Sequence, residues 1–323
     1  MEMSDYMLSW EDRRLMVKVA MLYYFEGWTQ AEIAARNNVS RPVISKLLNT
    51  AKKEGIVEIY IKDETFHTVE LEQKIIKKFG LKEVIVVSTA GFAPEMAKRQ
   101  LGKTGASYIA NHTKEVKSLG ISWGTTLLSL VAEYPYEHKE DVHIVPIVGG
   151  MGSEYVHLHS NQLAFNLAQK MNTTCSYLYA PAMVESNDLK ERLVSSKDIA
   201  HVLEEGKNVD MAVVSIGNPF KGATMEKIGY LGPDDLASLR KAGAVGDISS
   251  RFYDAVGKEL DHPLNQRVIG LNLDDIKKIP EVVGIVEGSY KLESIEAALQ
   301  GGYLDVLITD DRTAQELADS HNL

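Results

Sequence analysis

Residues 29–53 read TQAEIAARNNVSRPVISKLLNTAKK. Thr29 followed three residues later by Glu32 has the spacing of a capping box, and Ile33 and Ala34 then give a short helix one apolar side. Asn38-Val39 marks a turn. Ser40 follows as a second N-cap, with Pro42 in the first turn of the next helix, where its missing N–H does no harm. Ile44, Leu47 and Leu48 fall on the inner face of that helix, leaving Arg41, Ser45, Lys46, Asn49 and Lys52 outside. Two capped helices joined by a short turn, the second apolar within and cationic without, predict a helix-turn-helix. In that reading Arg41 and Lys46 reach guanine edges or phosphates, while Ser45 and Asn49 supply adaptable donors and acceptors. Thr29, Gln30, Ser40 and Lys52 complete the candidate DNA-contacting set. The competing reading is a solvated three-helix bundle whose charges only keep it soluble.

Charge distribution favours the DNA reading. From Arg13 to Lys53 there are eight basic residues and two acidic ones, a net of +6, whereas the rest of the chain carries 27 basic and 43 acidic groups, a net of −16. A cationic amino-terminal module on an acidic body is the asymmetry expected when one part alone must approach phosphate. On its amino-terminal side, RRLMVKVAMLYYF (13–25) presents Leu15, Val19 and Leu22 at helical spacing, and Gly27 ends the helix. On its carboxyl-terminal side, IVEIYIK (56–62) alternates apolar and polar residues as a half-buried strand does, which gives the module a winged-helix-like character. HTVELEQKIIKKF (67–79) returns to helical spacing through Leu71, Ile75 and Phe79, as a connecting or dimer-forming helix. The expected division is 1–63 for the DNA-binding domain, 64–81 for the connecting helix and 82–323 for the large domain.

Length supports two domains, since 323 residues exceed the size of one small module. Hydrophobic residues at 45% and charged residues at 25% exclude a disordered or fibrous chain. A single cysteine, Cys175, excludes an intramolecular disulfide and a zinc site built on cysteine pairs. The start MEMSDYMLSWEDRR shows no secretory leader, and no apolar run approaches the roughly 20 residues of a membrane span. A cytoplasmic location without membrane contact is therefore expected.

From Lys82 onward β-rich runs alternate with helical stretches: EVIVVS, KSLGISW, VHIVPIVGG, CSYLYAPAMV, VDMAVVSIG, VVGIVEG and VLITD. That alternation predicts an α/β domain with a doubly wound, Rossmann-like parallel sheet. Residues 244–272 break the rhythm, with a strand-turn-strand pattern around Asp254 to Lys258 that points to an inserted hairpin.

Candidate chemistry gathers where strands give way to helices. GISWGTT (120–126) offers exposed amides and two hydroxyls, Thr125 and Thr126, to an anion, with Gly124 permitting close approach; a plain strand-to-helix turn is the alternative. VGGMGS (148–153) is a second glycine-rich loop after a strand, placing Gly149 and Gly150 where ligands collect. His157, His159 and Asn161 follow it. Without carboxylates or cysteines nearby in sequence, a sugar-binding wall or a helix cap outweighs a metal reading, and no metal or cofactor is expected. Asp247 lies near Arg251 and Asp254; it is suited to sugar hydroxyls, or Arg251 simply pairs with either aspartate. Lys291, after the strand VVGIV, is suited to a phosphate. Cys175 reads as an inert thiol. No Ser-His-Asp order, zinc-protease motif or P-loop lysine is present, so no catalytic residue is assigned.

These blocks together give the chain a resemblance to the SorC (SorC/DeoR-type) family of bacterial sugar-binding transcriptional regulators. It rests on LYYFEGWTQAEIAARNNVSRPVISKLLNTAKKEGIVEI, GISWGTT, IVPIVGGMGS, HSNQLAFNLA, LYAPAMV, AVGDISSRFYDAVG and VEGSYKLESIEAALQGGYLDVLITD. The resemblance implies a helix-turn-helix domain joined to an effector domain similar in fold to sugar-phosphate isomerases and deaminases, with catalysis lost and phosphosugar binding retained. It implies homo-oligomers, commonly tetramers, on roughly palindromic operators of carbohydrate catabolic genes. Carried over by residue, it places phosphate against Gly124, Thr125, Thr126 and Lys291, and the sugar against Gly149, Gly150, Asn161 and Asp247. Val148 stands where some members carry a lysine or arginine, which puts a covalent imine or second phosphate contact there in doubt. The competing functions are a sugar-phosphate isomerase or deaminase with an auxiliary DNA domain, and a small-molecule-binding module without a DNA role.

Overall fold

A computed structural model of the chain describes residues 9–59, 63, 65–113, 116–150, 155–321 and 323. It divides into two compact units, Met1–Glu64 and Thr65–Leu323.

The first unit holds three helices, α1 (Trp10–Tyr24), α2 (Gln30–Arg36) and α3 (Arg41–Lys53). Ser9 caps α1 by accepting from the Asp12 amide at 3.1 Å. The capping box at α2 forms: the Glu32 amide donates to Thr29 Oγ1 at 3.3 Å, and the Thr29 amide donates to Glu32 Oε2 at 2.8 Å. Those bonds from Thr29 lower the pKa of Glu32. Asn38 takes a left-handed φ of 50°, which lets the chain reverse between α2 and α3. Ser40 has the extended backbone of an N-cap, but its hydroxyl makes no capping bond. Val19, Ala20, Leu22, Ile33, Ala34, Ile44 and Leu48 form the core, each large side chain contributing about 1.5–3 kcal/mol on burial. The inner face of α1 is offset from the sequence expectation. Leu15 is 37% exposed and Met16 is buried instead, because Met16, Val19 and Ala20 share the face turned to α2 and α3. After α3, Val57 packs on this core. Residues 57–59 form no strand, and 60–62 of the expected strand lie outside the described residues, so the wing is not seen among the described residues.

The second unit follows the sequence alternation. It contains α4 (Phe66–Phe79), β1 (Glu83–Val87), α5 (Pro94–His112), β2 (Ser118–Ile121), α6 (Thr125–Glu133), β3 (His143–Pro146), α7 (Ser160–Met171), α8 (Asn187–Val194), α9 (Lys197–Lys207) and β4 (Met211–Val214). Then come β5 (Ile216–Gly217), α10 (Thr224–Lys227), α11 (Pro233–Lys241), β6 (Gly246–Ile248), β7 (Arg251–Tyr253), α12 (Pro263–Gln266), α13 (Leu273–Lys277), β8 (Glu281–Ile285), α14 (Leu292–Gly301), β9 (Val306–Asp310) and α15 (Asp311–Ser320). Six strands form one sheet in the order β1-β9-β8-β4-β2-β3, all parallel. One apolar core includes Leu71, Ile199, Ile295 and Leu317, from α4, α9, α14 and α15. A second includes Ile109, Leu130 and Leu167, from α5, α6 and α7, so helices cover both faces as a doubly wound sheet requires. The apolar face of α4 is spent here: Leu71 and Ile75 are buried in this unit's own core.

Chain direction reverses beside β2. From β2 the chain moves outward to β3 at the edge, then returns to β4 on the other side of β2 and continues away through β8 and β9. The crevice between the carboxyl ends of β2 and β4 is thus a topological switch point, where open α/β sheets bind ligands. Beyond β4 the chain turns directly into β5, which opens a small antiparallel sheet, β5-β6-β7. The expected turn at Asp254–Lys258 is present, closed by the Asp254 amide on the Lys258 carbonyl, but the β6–β7 hairpin itself turns earlier, at Ser249-Ser250. CSYLYAPAMV is not a regular strand. It makes only isolated bridges, Cys175 to Ile144, Pro181 to Gly150 and Met183 to Val268, and Pro181 has no N–H to continue a ladder.

Candidate functional site

At the switch point lies a cavity whose walls include four segments. Trp123, Gly124, Thr125 and Thr126 follow β2; Ser215, Gly217 and Asn218 follow β4; Asp247 and Ser249 belong to the β6–β7 hairpin, and Lys291 closes the site from the turn before α14. Gly124 has φ 126°, a conformation open to glycine and not to other residues, and it swings the chain from β2 into α6. Gly124, the N-cap residue of α6, has no side chain with which to cap it, and among the described residues no side-chain cap bond is made there. Its first-turn amides therefore give this side of the cavity partial positive charge, with the buried Thr126 and exposed Thr125 hydroxyls beside them.

Asp247 faces this positive side from a dry wall. Its carboxyl is 8% exposed, and Gly217 is opposite it on β5; a Cβ on Gly217 would lie 2.0 Å from Asp247 Oδ1, so the close approach needs glycine. Burial raises its pKa to about 6, against the opposing pull of a hydrogen bond from the Ser250 amide at 3.3 Å and of the Lys291 charge. Burial likewise lowers the pKa of Lys291, opposed by Glu287 and Asp247. Glu287 is shared, lying 3.6 Å from Lys98 Nζ. The cavity thus combines groups suited to an anion, Lys291 and the first-turn amides of α6, with a desolvated acceptor for hydroxyl donors, Asp247.

Of the eight residues expected at the effector site, Gly124, Thr125, Thr126, Asp247 and Lys291 meet here. Gly149, Gly150 and Asn161 do not line it. The Gly149 and Gly150 amides donate to the Ile269 and Ala180 carbonyls, and a Cβ on Gly149 would meet Ala180 O at 2.5 Å, so this loop is glycine-rich where backbone packs on backbone. Residues 151–153 of that loop lie outside the described residues. Asn161 exchanges two bonds with Leu178, donating to its carbonyl at 2.9 Å and accepting from its amide at 2.8 Å. Val148 is fully buried.

Arg251 pairs with neither aspartate. Its guanidinium donates to the carbonyls of Asn265, Val268, Gly270 and Leu271 and lies 3.6 Å from Glu259. Asp254 Oδ1 instead accepts the Val256 and Lys258 amides of its own turn. His159 is buried and His157 packs near Tyr155; among the described residues no three groups cluster as metal ligands. Cys175 is half-buried, and burial pushes its thiol pKa up, away from a reactive thiolate. Sequence reasoning missed Asn218, whose Oδ1 accepts the Phe220 and Lys221 amides while its Nδ2 donates to the Tyr290 carbonyl. The signal was available in Asn218-Pro219, a turn dipeptide directly after a strand.

On the small unit, Arg41, Lys46, Asn49 and Lys52 are all exposed along α3, with Ser45 half-buried among them. Lys52 Nζ lies 5.9 Å from the Tyr24 ring, at the end of α1. Gln30 is half-buried and Ser40 exposed. The Thr29 hydroxyl donates to Glu32 at 2.8 Å, so its main part is to hold the first turn of α2.

A family model described as "Putative sugar-binding domain" matches residues 63–318. The chain is 32% identical over 311 residues to the deoxyribonucleoside regulator of Bacillus subtilis, covering 96% of this chain and 98% of that protein. The chain belongs to the SorC/DeoR-type family of sugar-binding transcriptional regulators. The full-length sorbitol operon regulator SorC of Klebsiella pneumoniae superposes with a TM-score of 0.74 at 30% identity, covering 98% of this chain and 99% of that one. A DeoR family transcriptional regulator from Listeria monocytogenes is 44% identical, with a TM-score of 0.74, over 77% of this chain and 99% of its own length. This SorC/DeoR-type chain is accordingly a transcriptional regulator with a sugar-binding effector domain, not an enzyme. Among the described residues, no helix is long and apolar enough to cross a membrane.

The buried carboxylate carries a stability cost that a neutral isostere removes. Because the folded-state pKa is raised from 3.8 to about 6, the favourable contribution of protonated Asp247 is complete below pH 3.8 and disappears as pH rises through about 6. Asp247→Asn is expected to match wild type near pH 4 in denaturant titrations. It should become more stable as pH rises to 7, by at most about 3 kcal/mol at 1.36 kcal/mol per pKa unit. A difference independent of pH would contradict the assignment.

Proposed function

We propose that the chain controls carbohydrate catabolic genes by binding a roughly palindromic operator through α3, under the control of a phosphorylated sugar or sugar alcohol held at the switch-point cavity. The observation that carries the ligand class is the meeting of anion-binding groups and a buried carboxylate in one cavity. Lys291 and the first-turn amides of α6 favour a phosphate, and the desolvated Asp247 carboxylate is suited to accept from the hydroxyls of an attached sugar. Asn218 adds a polar contact on the remaining wall. Relatives named for a sorbitol operon and for deoxyribonucleosides lend support to a small polyhydroxylated ligand.

For DNA, the exposed α3 residues Arg41, Lys46 and Asn49, with Ser45, would face the major groove, and Lys52, Ser40 and Gln30 the phosphates alongside. Two such helices reading opposite half-sites need at least a dimer, and a tetramer fits paired operators. A regulator of this kind works in the cytoplasm, where the operator is. Ligand acts by preferring one arrangement of the oligomer over another and so changing its operator affinity.

Two measurements follow. Lys46→Ala is expected to weaken operator binding about tenfold and to reduce the slope of log affinity against log salt by about 1, leaving sugar-phosphate binding unchanged. Unchanged operator affinity and slope would remove α3 from the DNA interface. For the ligand, thermal shifts with paired phosphorylated and unphosphorylated pentoses and hexitols should show stabilisation by phosphorylated members only. Lys291→Gln should then weaken that binding about 10- to 100-fold, the worth of one charge-assisted hydrogen bond. Equal shifts with and without phosphate would refute the phosphate reading.

A further inference from the structure

The β6–β7 hairpin turns on two adjacent serines in the left-handed region, Ser249 at φ 52° and Ser250 at φ 68°. A two-residue hairpin turn of this hand is normally built from Asn-Gly or Gly-Gly, because a Cβ is disfavoured at both positions. Ser249 and Ser250 are nevertheless kept, and both are buried, at 3% and 0% exposure. Strain that persists in a buried turn beside a ligand cavity calls for a compensating role.

Both hydroxyls bond directly to the segment that follows β2 and leads into the cavity wall at Gly124. Ser249 Oγ donates to Ser122 Oγ at 2.8 Å, and Trp123 Nε1 donates to Ser250 Oγ at 3.1 Å. Ser122 and Trp123 immediately precede Gly124, from which α6 begins, and the Ser122 amide extends the pairing of β2 to β4 by donating to the Val213 carbonyl. At the other end of the same turn, the Ser250 amide donates to Asp247 Oδ2. Two adjacent serines thus join the segment leading into the amides of α6 to the hairpin bearing the carboxylate.

We propose that the pairs Ser122–Ser249 and Trp123–Ser250 are a positioning clamp that fixes the separation between the anion-binding turn at Gly124–Thr126 and Asp247, and thereby the length of ligand that spans both. Ser122 and Ser250 lie outside the cavity lining and act as positioning residues through the groups that touch ligand, whereas Trp123 and Ser249 line the cavity as well as bracing it. The ligand-length consequence rests on the phosphosugar reading given above; the clamp itself does not.

The test uses the full-length protein and two variants. Ser249→Gly combined with Ser250→Gly relieves the backbone strain and deletes both hydroxyls; Trp123→Phe keeps the ring and deletes the indole N–H. Amide hydrogen exchange of residues 124–127 in ligand-free protein is expected to accelerate at least tenfold in both variants, while exchange in β8 and β9 stays at the wild-type rate. A purely structural turn would change exchange everywhere in proportion to stability, or nowhere, and either result overturns the clamp. Affinities for sorbitol 6-phosphate and inorganic phosphate are measured alongside. The clamp predicts that the serine variant loses at least tenfold for the spanning probe and much less for phosphate alone; equal losses overturn the spacing role. If wild type binds neither probe, the phosphosugar reading and the spacing role resting on it fail together, while the exchange data still decide whether the clamp exists.

Discussion

A carboxylate kept from water at the mouth of a parallel sheet is the constraint around which the effector domain is arranged. Asp247 lies where Gly217 makes room for it, on a hairpin tied to the turn after β2, and its pKa of about 6 records how dry the position is. Such a group costs stability at neutral pH, and among the described residues it makes no ion pair close enough to relieve it fully. The rest of the site is organised with respect to it. Lys291 and the first-turn amides of α6 supply positive charge in the same cavity, and glycine at 217 and 124 allows backbone conformations and approaches that a side chain would block. The proposed phosphosugar would engage both kinds of group, the positive ones and the carboxylate.

The DNA-binding unit works on the opposite economy. Its core is small, made of a few buried aliphatic side chains from three short helices, and its charges lie outward in water where each contributes little to stability. In the proposed operator complex they gain value because phosphate replaces solvent around them. The capping box at Thr29 and Glu32 and the left-handed Asn38 hold the turn between α2 and α3, so that the exposed residues of α3 keep a fixed relation to α2.

What could be read in the sequence was what depends on neighbours in sequence. The capping box, the α3 face and six parallel strands announce themselves through spacing. Gly124, Thr125, Thr126 and Lys291 stand at strand-to-helix junctions, where topology alone predicts a ligand. What could not be read depends on contacts between distant segments. Gly149 and Gly150 look like a second ligand loop, but at Gly149 a glycine is required because the chain approaches its own backbone at Ala180 and Pro181, whereas a Cβ on Gly150 would meet the His159 ring at an ordinary 3.5 Å. Asn161 was suited to a sugar until Leu178 claimed both ends of its amide. Ser249-Ser250 lacks the composition of a tight hairpin turn, and the reason for its serines lies more than a hundred residues away at Ser122 and Trp123. Leu15 and Met16 differ by one position on a helix, a distinction made only by the packing of α2 and α3.

The ionisation of Asp247 itself is the most direct test, followed by carbon-13 NMR of its carboxyl carbon across pH 3 to 8 in the full-length protein. A midpoint near 6 in the free protein, falling when sugar hydroxyls donate to the carboxylate in the ligand-saturated state, is the predicted result. A midpoint in the ordinary carboxylate range near 3.8, unmoved by ligand, would contradict the account.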